Sequence, residues 1–72
     1  MSQELPAIRI RLAENVKRLR QAHSWSQEDL AAHAKLHRNQ IGFIERAERN
    51  SGIDMLEQLA RTLGVEPFEL LK

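Results

Sequence analysis

The stretch SQEDLAAHAKLHRNQIGFIER, residues 26–46, decides how the chain folds. Ser26 is a favoured helix N-cap, and Asp29 stands three residues on, where a capping box carries Glu or Gln. A short turn signal then separates two runs of helically spaced apolar side chains. We therefore predict a helix over residues 27–34 and a second helix over residues 38–47, joined by a tight turn.

The second of these helices has two chemically different sides. At about 100° per residue, Ile41 and Ile44 fall on one side, and polar and aromatic side chains fall on or beside the other. Arg, Asn and Gln pair bidentately with guanine and adenine edges, and an aromatic ring can contact a thymine methyl group. Two helices of this kind are typical of a helix-turn-helix, whose second helix lies in the DNA major groove. The predicted base-reading residues are Arg38, Asn39, Gln40 and Phe43.

The same stretch resembles the helix-turn-helix family of phage lambda-repressor and Cro-like (XRE) regulators. The resemblance covers residues 12–66 and implies an all-α, compact five-helix lambda-repressor-like DNA-binding domain. Two positions depart from the family pattern. Lys35 stands where Gly is usual, so a left-handed residue there would cost about 1 kcal/mol. Ala47 stands where Gly often ends the second helix, so we expect that helix to run on by a turn. The matching residues are Ser26, Gln27, Leu30, Ala31, Leu36, Ile41, Ile44, Glu45 and Arg46.

The resemblance also implies contacts to DNA phosphates. In the family, the positions of Arg46, Arg49 and Asn50 line the DNA backbone, and such contacts fix register without carrying sequence information. We add Gln27, because it begins a helix whose backbone amides also favour anions. At the position of Glu45 the family ties the motif to nearby backbone or to an Arg. We therefore expect a structural role for Glu45.

Apolar residues spaced by three and four predict further helices on both sides of the motif. Pro6 suits the first turn of the first helix. After the motif, Asp54 and Glu57 form a capping-box-like start. We interpret residues 1–72 as a single helix-turn-helix DNA-binding domain. Its predicted helices span about residues 5–22, 27–34, 38–47, 54–63 and 67–71.

The C-terminal segment carries more apolar side chains than one small domain can easily bury. Phe68 and Leu70 point about 160° apart on a helix, so one core cannot receive both. Large exposed apolar patches usually mark interfaces, and a twofold dimer is the commonest assembly. A dimer would also place two reading helices about 34–36 Å apart, at two half-sites. The predicted dimer interface consists of Ile53, Met55, Phe68, Leu70 and Leu71.

The net charge of +1 conceals an uneven distribution. Residues 1–24 carry five Lys or Arg and two acids, and residues 35–50 carry four and two. Residues 51–72 carry two Lys or Arg and four acids, so the basic part includes the predicted reading helix. Ordinary solvated helix faces explain this pattern equally well. The same two interpretations, solubility or phosphate contact, apply to Arg9, Arg11, Lys17, Arg18 and Arg20.

Several function classes are disfavoured. There is no Cys, no apolar run approaching the ~18 residues of a membrane span, and no signal-peptide pattern, so we expect a cytoplasmic chain without a membrane partner. His33 and His37 are four residues apart, but a turn separates them and no carboxylate or Cys completes a ligand set. No Gly-rich phosphate loop or nucleophile motif is present. We predict no enzymatic activity, no metal, no cofactor and no small-molecule ligand.

The sequence therefore predicts a transcriptional regulator that binds a palindromic operator in double-stranded DNA as a homodimer. Within the family, the chain most resembles the controller proteins of restriction–modification systems. The features that carry this resemblance are the stand-alone length, residues 44–46 followed by Arg49-Asn50, and the closing helix. That resemblance implies control of the chain's own operon and of a linked endonuclease gene. Two alternatives stay open: an antitoxin-like module that holds a toxin, and a helical interaction domain with no DNA role. Trp25 is interpreted as a hydrophobic staple with Leu30 rather than as a base-stacking platform.

Overall fold

Four α-helices and a closing 3₁₀ turn make up residues 6–72, the part of the chain that the computed structural model describes. No strand occurs in this range, and the predicted all-α class is confirmed. The predicted fifth helix is a single 3₁₀ turn, and residue 5, where the first helix was expected to begin, lies outside the described residues. The elements are α1 (Ala7–Ala22), α2 (Gln27–Ala34), α3 (Arg38–Glu45), α4 (Ile53–Leu63) and the C-terminal turn (Pro67–Leu70).

Local side chains cap both helices of the central motif. The Asp29 N–H donates to Ser26 Oγ over 3.0 Å, and the Ser26 N–H donates to Asp29 Oδ2 over 2.9 Å, which completes the box at the start of α2. At the start of α3, His37 Nδ1 accepts from the Asn39 N–H over 3.1 Å. The His37 N–H in turn donates to Gln40 Oε1 over 2.8 Å. Each helix start is therefore fixed by residues within three positions of its cap.

Left-handed residues follow both helices of the motif. Lys35 ends α2 with φ 59°. It is therefore in the left-handed conformation that the sequence analysis expected to be costly at this position. Ala47 has φ 58°, and the N–H of Glu48 returns to the Phe43 carbonyl over 3.0 Å. The expectation that the second helix runs on to residue 47 is therefore wrong, because the chain turns after Glu45 without a glycine. The Ala47 methyl is buried in compensation, at 5% exposure.

The start of α4 also differs from the prediction. Gly52 is the N-cap and makes no side-chain hydrogen bond, and the helix begins at Ile53. The capping box predicted from Asp54 and Glu57 is therefore wrong. Asp54 lies in the first turn, where its charge complements the helix dipole. Glu57 instead faces Arg61 one turn later, with 3.8 Å between Oε1 and Nη2.

One core joins all five elements. Ala31 and Ala34 are small, and they let α2 and α3 pack closely together. The largest completely buried side chains come from every element, so none of the helices is peripheral. These side chains are Val16, Leu30, Ile41, Leu59 and Leu70.

The C-terminal turn is tied to α1 by side chains that bond its carbonyl groups. Asn15 Nδ2 donates to the carbonyls of Leu70 and Lys72, each over 3.0 Å. Arg11 Nε donates to the Leu71 carbonyl over 2.9 Å. This docking leaves Leu70 0% exposed and Phe68 62% exposed, so the two side chains do diverge. Leu70 belongs to the core, and its placement in the dimer interface is corrected.

None of the helices in residues 6–72 is long and apolar enough to cross a membrane.

Candidate nucleic-acid interface

Helix α3 has one buried side and one side open to solvent. Ile41 and Ile44 are buried in the core, whereas Arg38 and Asn39 are exposed. Gln40 and Phe43 are half-buried at the border between the two sides. The amphipathic pattern that the sequence predicted for this helix is therefore present, and its exposed side carries the base-pairing chemistry of Arg, Asn and Gln.

Gly42 is the glycine of α3. It is buried, and the Arg46 guanidinium lies directly over it. A Cβ atom added to Gly42 would be 2.9 Å from Arg46 Nη1. The missing side chain therefore makes room for an arginine of the same chain, which the helical spacing alone did not reveal.

Two groups of residues that the sequence assigned to different tasks meet at one hollow. The hollow has a volume of about 170 Å³ and lies between the end of α3, the following loop and the start of α4. Gln40 and Phe43, which were predicted to read bases, line it together with Arg49 and Asn50, which were predicted to bind phosphate. Arg46 does not line the hollow but lies close to Phe43, which does.

The Phe43 ring is covered by arginine. Arg49 Cζ lies 3.9 Å from the ring centroid, and Arg46 Cζ lies 5.4 Å from it. Both distances fall within the range of cation–π attraction. Arg46 Nε also lies 3.0 Å from Glu48 Oε1, but both side chains are about half exposed, so that ion pair stabilises the loop little.

Arg20 has a structural role beside the site that sequence reasoning did not reveal. Its Nε and Nη2 atoms lie 2.6 and 3.0 Å from the two carboxylate oxygens of Glu45, and its Nη1 donates to the Trp25 carbonyl over 2.8 Å. The hydrogen bond with Glu45 raises the pKa of Arg20 above its ordinary value, against burial, which lowers it. Glu45 thus has the structural role that the resemblance implied. Arg20 looked like one more solvated arginine, because its partner is 25 positions away.

Gln27 belongs to the same cluster. Its Nε2 donates to Glu45 Oε1 over 3.1 Å, and its side chain is half-buried. An amide nitrogen carries two hydrogens, so one remains for a second acceptor. The Glu45 contact therefore orients Gln27 at the start of α2 without using all of its donor capacity.

The Trp25 ring stacks with two histidines. The imidazole of His23 stacks 4.3 Å from its ring and that of His33 stacks 4.2 Å from it, at interplanar angles of 13° and 17°. Trp25 is also partly buried against the hydrophobic core, in agreement with its assignment to packing. Within residues 6–72 no group of three or more His, Cys, Asp or Glu is arranged to hold a metal ion.

The fold and the exposed α3 side together define a helix-turn-helix protein. The family model described as Helix-turn-helix matches residues 16–70, most of the chain. The chain belongs to this DNA-binding family, of the lambda-repressor/Cro-like (XRE) type.

Named relatives narrow the resemblance. Control protein C.BamHI of Bacillus amyloliquefaciens is 42% identical over 65 residues, which are 89% of this chain and 80% of that protein. The crystal structure of the restriction-modification controller protein C.AhdI from Aeromonas hydrophila superposes with a TM-score of 0.84 at 35% identity, covering 90% of this chain and 98% of that one. The controller C.Esp1396I, solved as a tetramer in complex with its natural 35 base-pair operator, gives a TM-score of 0.79 at 34% identity, covering 89% and 88%.

Proposed function

We propose that this chain is a sequence-specific transcriptional regulator that binds a palindromic operator as a homodimer and controls a restriction–modification operon. The observation that carries the proposal is the open side of α3. Arg38 and Asn39 are exposed at its N-terminal end, and no hydrogen bond or ion pair among residues 6–72 engages either side chain. Both can therefore reach base edges in the major groove without first breaking an internal contact.

Gln40 and Phe43 complete the proposed reading set. Gln40 uses its Oε1 to cap α3, so its amide hydrogens remain for a base acceptor. Phe43 lies one turn further on, where an apolar contact to a thymine methyl group was predicted. Because the cap fixes the Gln40 rotamer, its donor is oriented before DNA arrives, which lowers the entropy lost on binding.

Phosphate contacts are proposed on both sides of the reading helix. Arg46, Arg49 and Asn50 are exposed after α3, and Gln27 begins α2. The N-terminal ends of helices also favour anions through their free N–H groups. Each phosphate that such a contact neutralises makes the log–log salt dependence of binding steeper by roughly 0.9.

The proposed dimer uses apolar side chains near the C-terminal end. Ile53 is 83% exposed and Phe68 is 62% exposed, while Met55 and Leu71 are partly buried. Burying apolar side chains of this size away from water is favourable, and a twofold contact would bury them. The relative C.Esp1396I was solved as a tetramer on its operator, which supports self-association of this chain on DNA.

Our proposal for the regulated genes rests on the relatives of this chain and not on the geometry of the site. C.AhdI and C.Esp1396I are restriction-modification controller proteins, so we propose that this chain controls its own operon and a linked endonuclease gene. Because such a regulator acts on DNA, we propose that it is located in the cytoplasm. The antitoxin-like alternative is not favoured, because the named relatives are controllers and no described feature points to a toxin.

The test is selection from a random DNA library with the purified protein, beside the variant Arg38→Ala, Asn39→Ala. We expect the wild type to enrich a palindromic site and the folded variant to lose it. Arg61→Ala is a matched control, because it removes one exposed arginine, and so the same charge, from α4. No enrichment by the wild type at low salt would overturn the proposal and direct attention to a protein partner.

A further inference from the structure

We infer that Phe43 is a positioning residue: its ring seats the Arg49 guanidinium where that arginine meets a DNA phosphate. The inference rests on the proposed function and changes the task of Phe43 within it. On this view, loss of the ring is felt mainly at a phosphate, through Arg49, rather than at one base pair.

The loop after α3 returns Arg49 to the ring. Ala47 is left-handed, and the Glu48 N–H donates to the Phe43 carbonyl over 3.0 Å, so the chain folds back onto the last turn of the helix. The next residue, Arg49, then places Cζ 3.9 Å from the Phe43 ring centroid. Ring and guanidinium therefore meet because the backbone turn directs them together, across six positions of sequence.

Arg46 is the weaker partner of the same ring. Its Cζ lies 5.4 Å from the centroid, and its guanidinium is already held across Gly42 and by Glu48 at 3.0 Å. Arg49 has no ion pair among residues 6–72, so the ring is its main support. This difference assigns the ring primarily to Arg49.

Seating an arginine in this way aids phosphate binding for a physical reason. An exposed arginine has many rotamers, and fixing one of them costs entropy at the moment of binding. A ring that already holds the guanidinium removes part of that cost, while the N–H donors at the edge of the guanidinium stay free for phosphate oxygens. Asn50, in the same hollow, is placed to bond the same phosphate group or its neighbour.

Two substitutions separate seating from base contact. Phe43→Leu keeps an apolar group for a thymine methyl but removes the π face. Phe43→Tyr keeps the π face and is the matched control. Both are compared with Arg49→Ala and with the double variant Phe43→Leu, Arg49→Ala, on the operator that the wild type selects. Thermal unfolding of each free protein checks that the fold is retained.

We expect Phe43→Leu to weaken binding about threefold to tenfold. The loss should be equal across single-base variants of the operator, and the salt slope should become shallower toward that of Arg49→Ala, a change of up to roughly 0.9 per operator half-site. Phe43→Tyr should bind as the wild type does. The double variant should bind no worse than Arg49→Ala alone, since the ring acts through that arginine.

A different pattern would overturn the inference alone. If Phe43→Leu left the salt slope unchanged, or lost discrimination at a single base pair, or added its full effect to Arg49→Ala, the ring would act on DNA directly. If the wild type selected no site at all, the proposed function would fail and this inference with it. The two failures are therefore distinguishable.

Discussion

Arg20 of α1 and Glu45 at the end of α3 are joined by two contacts, Nε to Oε2 at 2.6 Å and Nη2 to Oε1 at 3.0 Å. Both side chains are largely buried, at 11% and 4% exposure. The third donor of the guanidinium bonds the Trp25 carbonyl, and Gln27 bonds the same carboxylate. The ion pair thus fixes α3 to α1, and Arg20 also holds the loop before α2.

Glu45→Ala should destabilise the fold by about 3 kcal/mol, because it leaves the Arg20 charge buried without its carboxylate. Urea unfolding followed by circular dichroism measures this. The control is Arg20→Met with Glu45→Met, which removes both charges and should cost less than the single change. A single variant as stable as the wild type would show that the pair contributes nothing to stability.

The pH dependence of stability should include a contribution from Asp29. The backbone hydrogen bond from Ser26, with a further contribution from its side chain, lowers the pKa of Asp29 below the ordinary 3.8. Stabilisation from a depressed pKa is complete above the unfolded value and is lost as pH falls through the folded value. Wild type should therefore exceed Asp29→Asn in melting temperature at pH 7, and the difference should shrink below pH 3.8. A gap independent of pH would contradict this.

Lys35→Gly should stabilise the fold by about 0.5–1 kcal/mol. Lys35 has φ 59°, where a side chain is strained, and glycine removes that strain while costing some entropy of its own. Lys35→Ala is the matched control, because it removes the same exposed side chain and keeps the strain. Thermal melts should rank Gly above Lys and Ala. Equal stability of the Gly and Ala variants would show that the turn stores no strain.

Ile53→Glu with Phe68→Glu should convert the proposed dimer into a folded monomer. Both side chains are exposed in the single chain, so charges there cost the monomer little, yet two like charges would face each other in a twofold interface. Sedimentation equilibrium measures the mass, and circular dichroism checks the helices. Leu70→Ala provides the contrast, because it empties a fully buried site and should cost about 2–5 kcal/mol of stability. If the wild-type protein were already a monomer, the proposed dimer interface would be wrong.

The parts of the fold that sequence could predict are those that local chemistry determines. Ser26 and Asp29 cap a helix through atoms three positions apart, so their letters alone indicate the start of α2. The buried and open sides of α3 follow from the helical period, as Ile41 and Asn39 show. Membership of the helix-turn-helix family rests on this same local pattern.

The features that sequence could not predict depend on backbone turns or on distant partners. Nothing in an alanine indicates a positive φ, yet Ala47 ends the reading helix and brings Arg49 over Phe43. Gly52 caps α4 without any side-chain bond, so no capping motif marked that start. The role of Arg20 could not be predicted, because its partner Glu45 comes near it only when α1 and α3 pack together.

The exposed end of α3 has an evolutionary consequence. Arg38 and Asn39 support nothing inside the domain, and substitutions at such surface positions usually change stability by no more than about 0.5 kcal/mol. Glu45, which holds the helix to α1, lies at the opposite end of α3. If Arg38 and Asn39 read the operator as proposed, replacing two or three side chains would give a new operator preference on an unchanged scaffold. Gene duplicates of this chain could diverge in target DNA long before they diverged in fold.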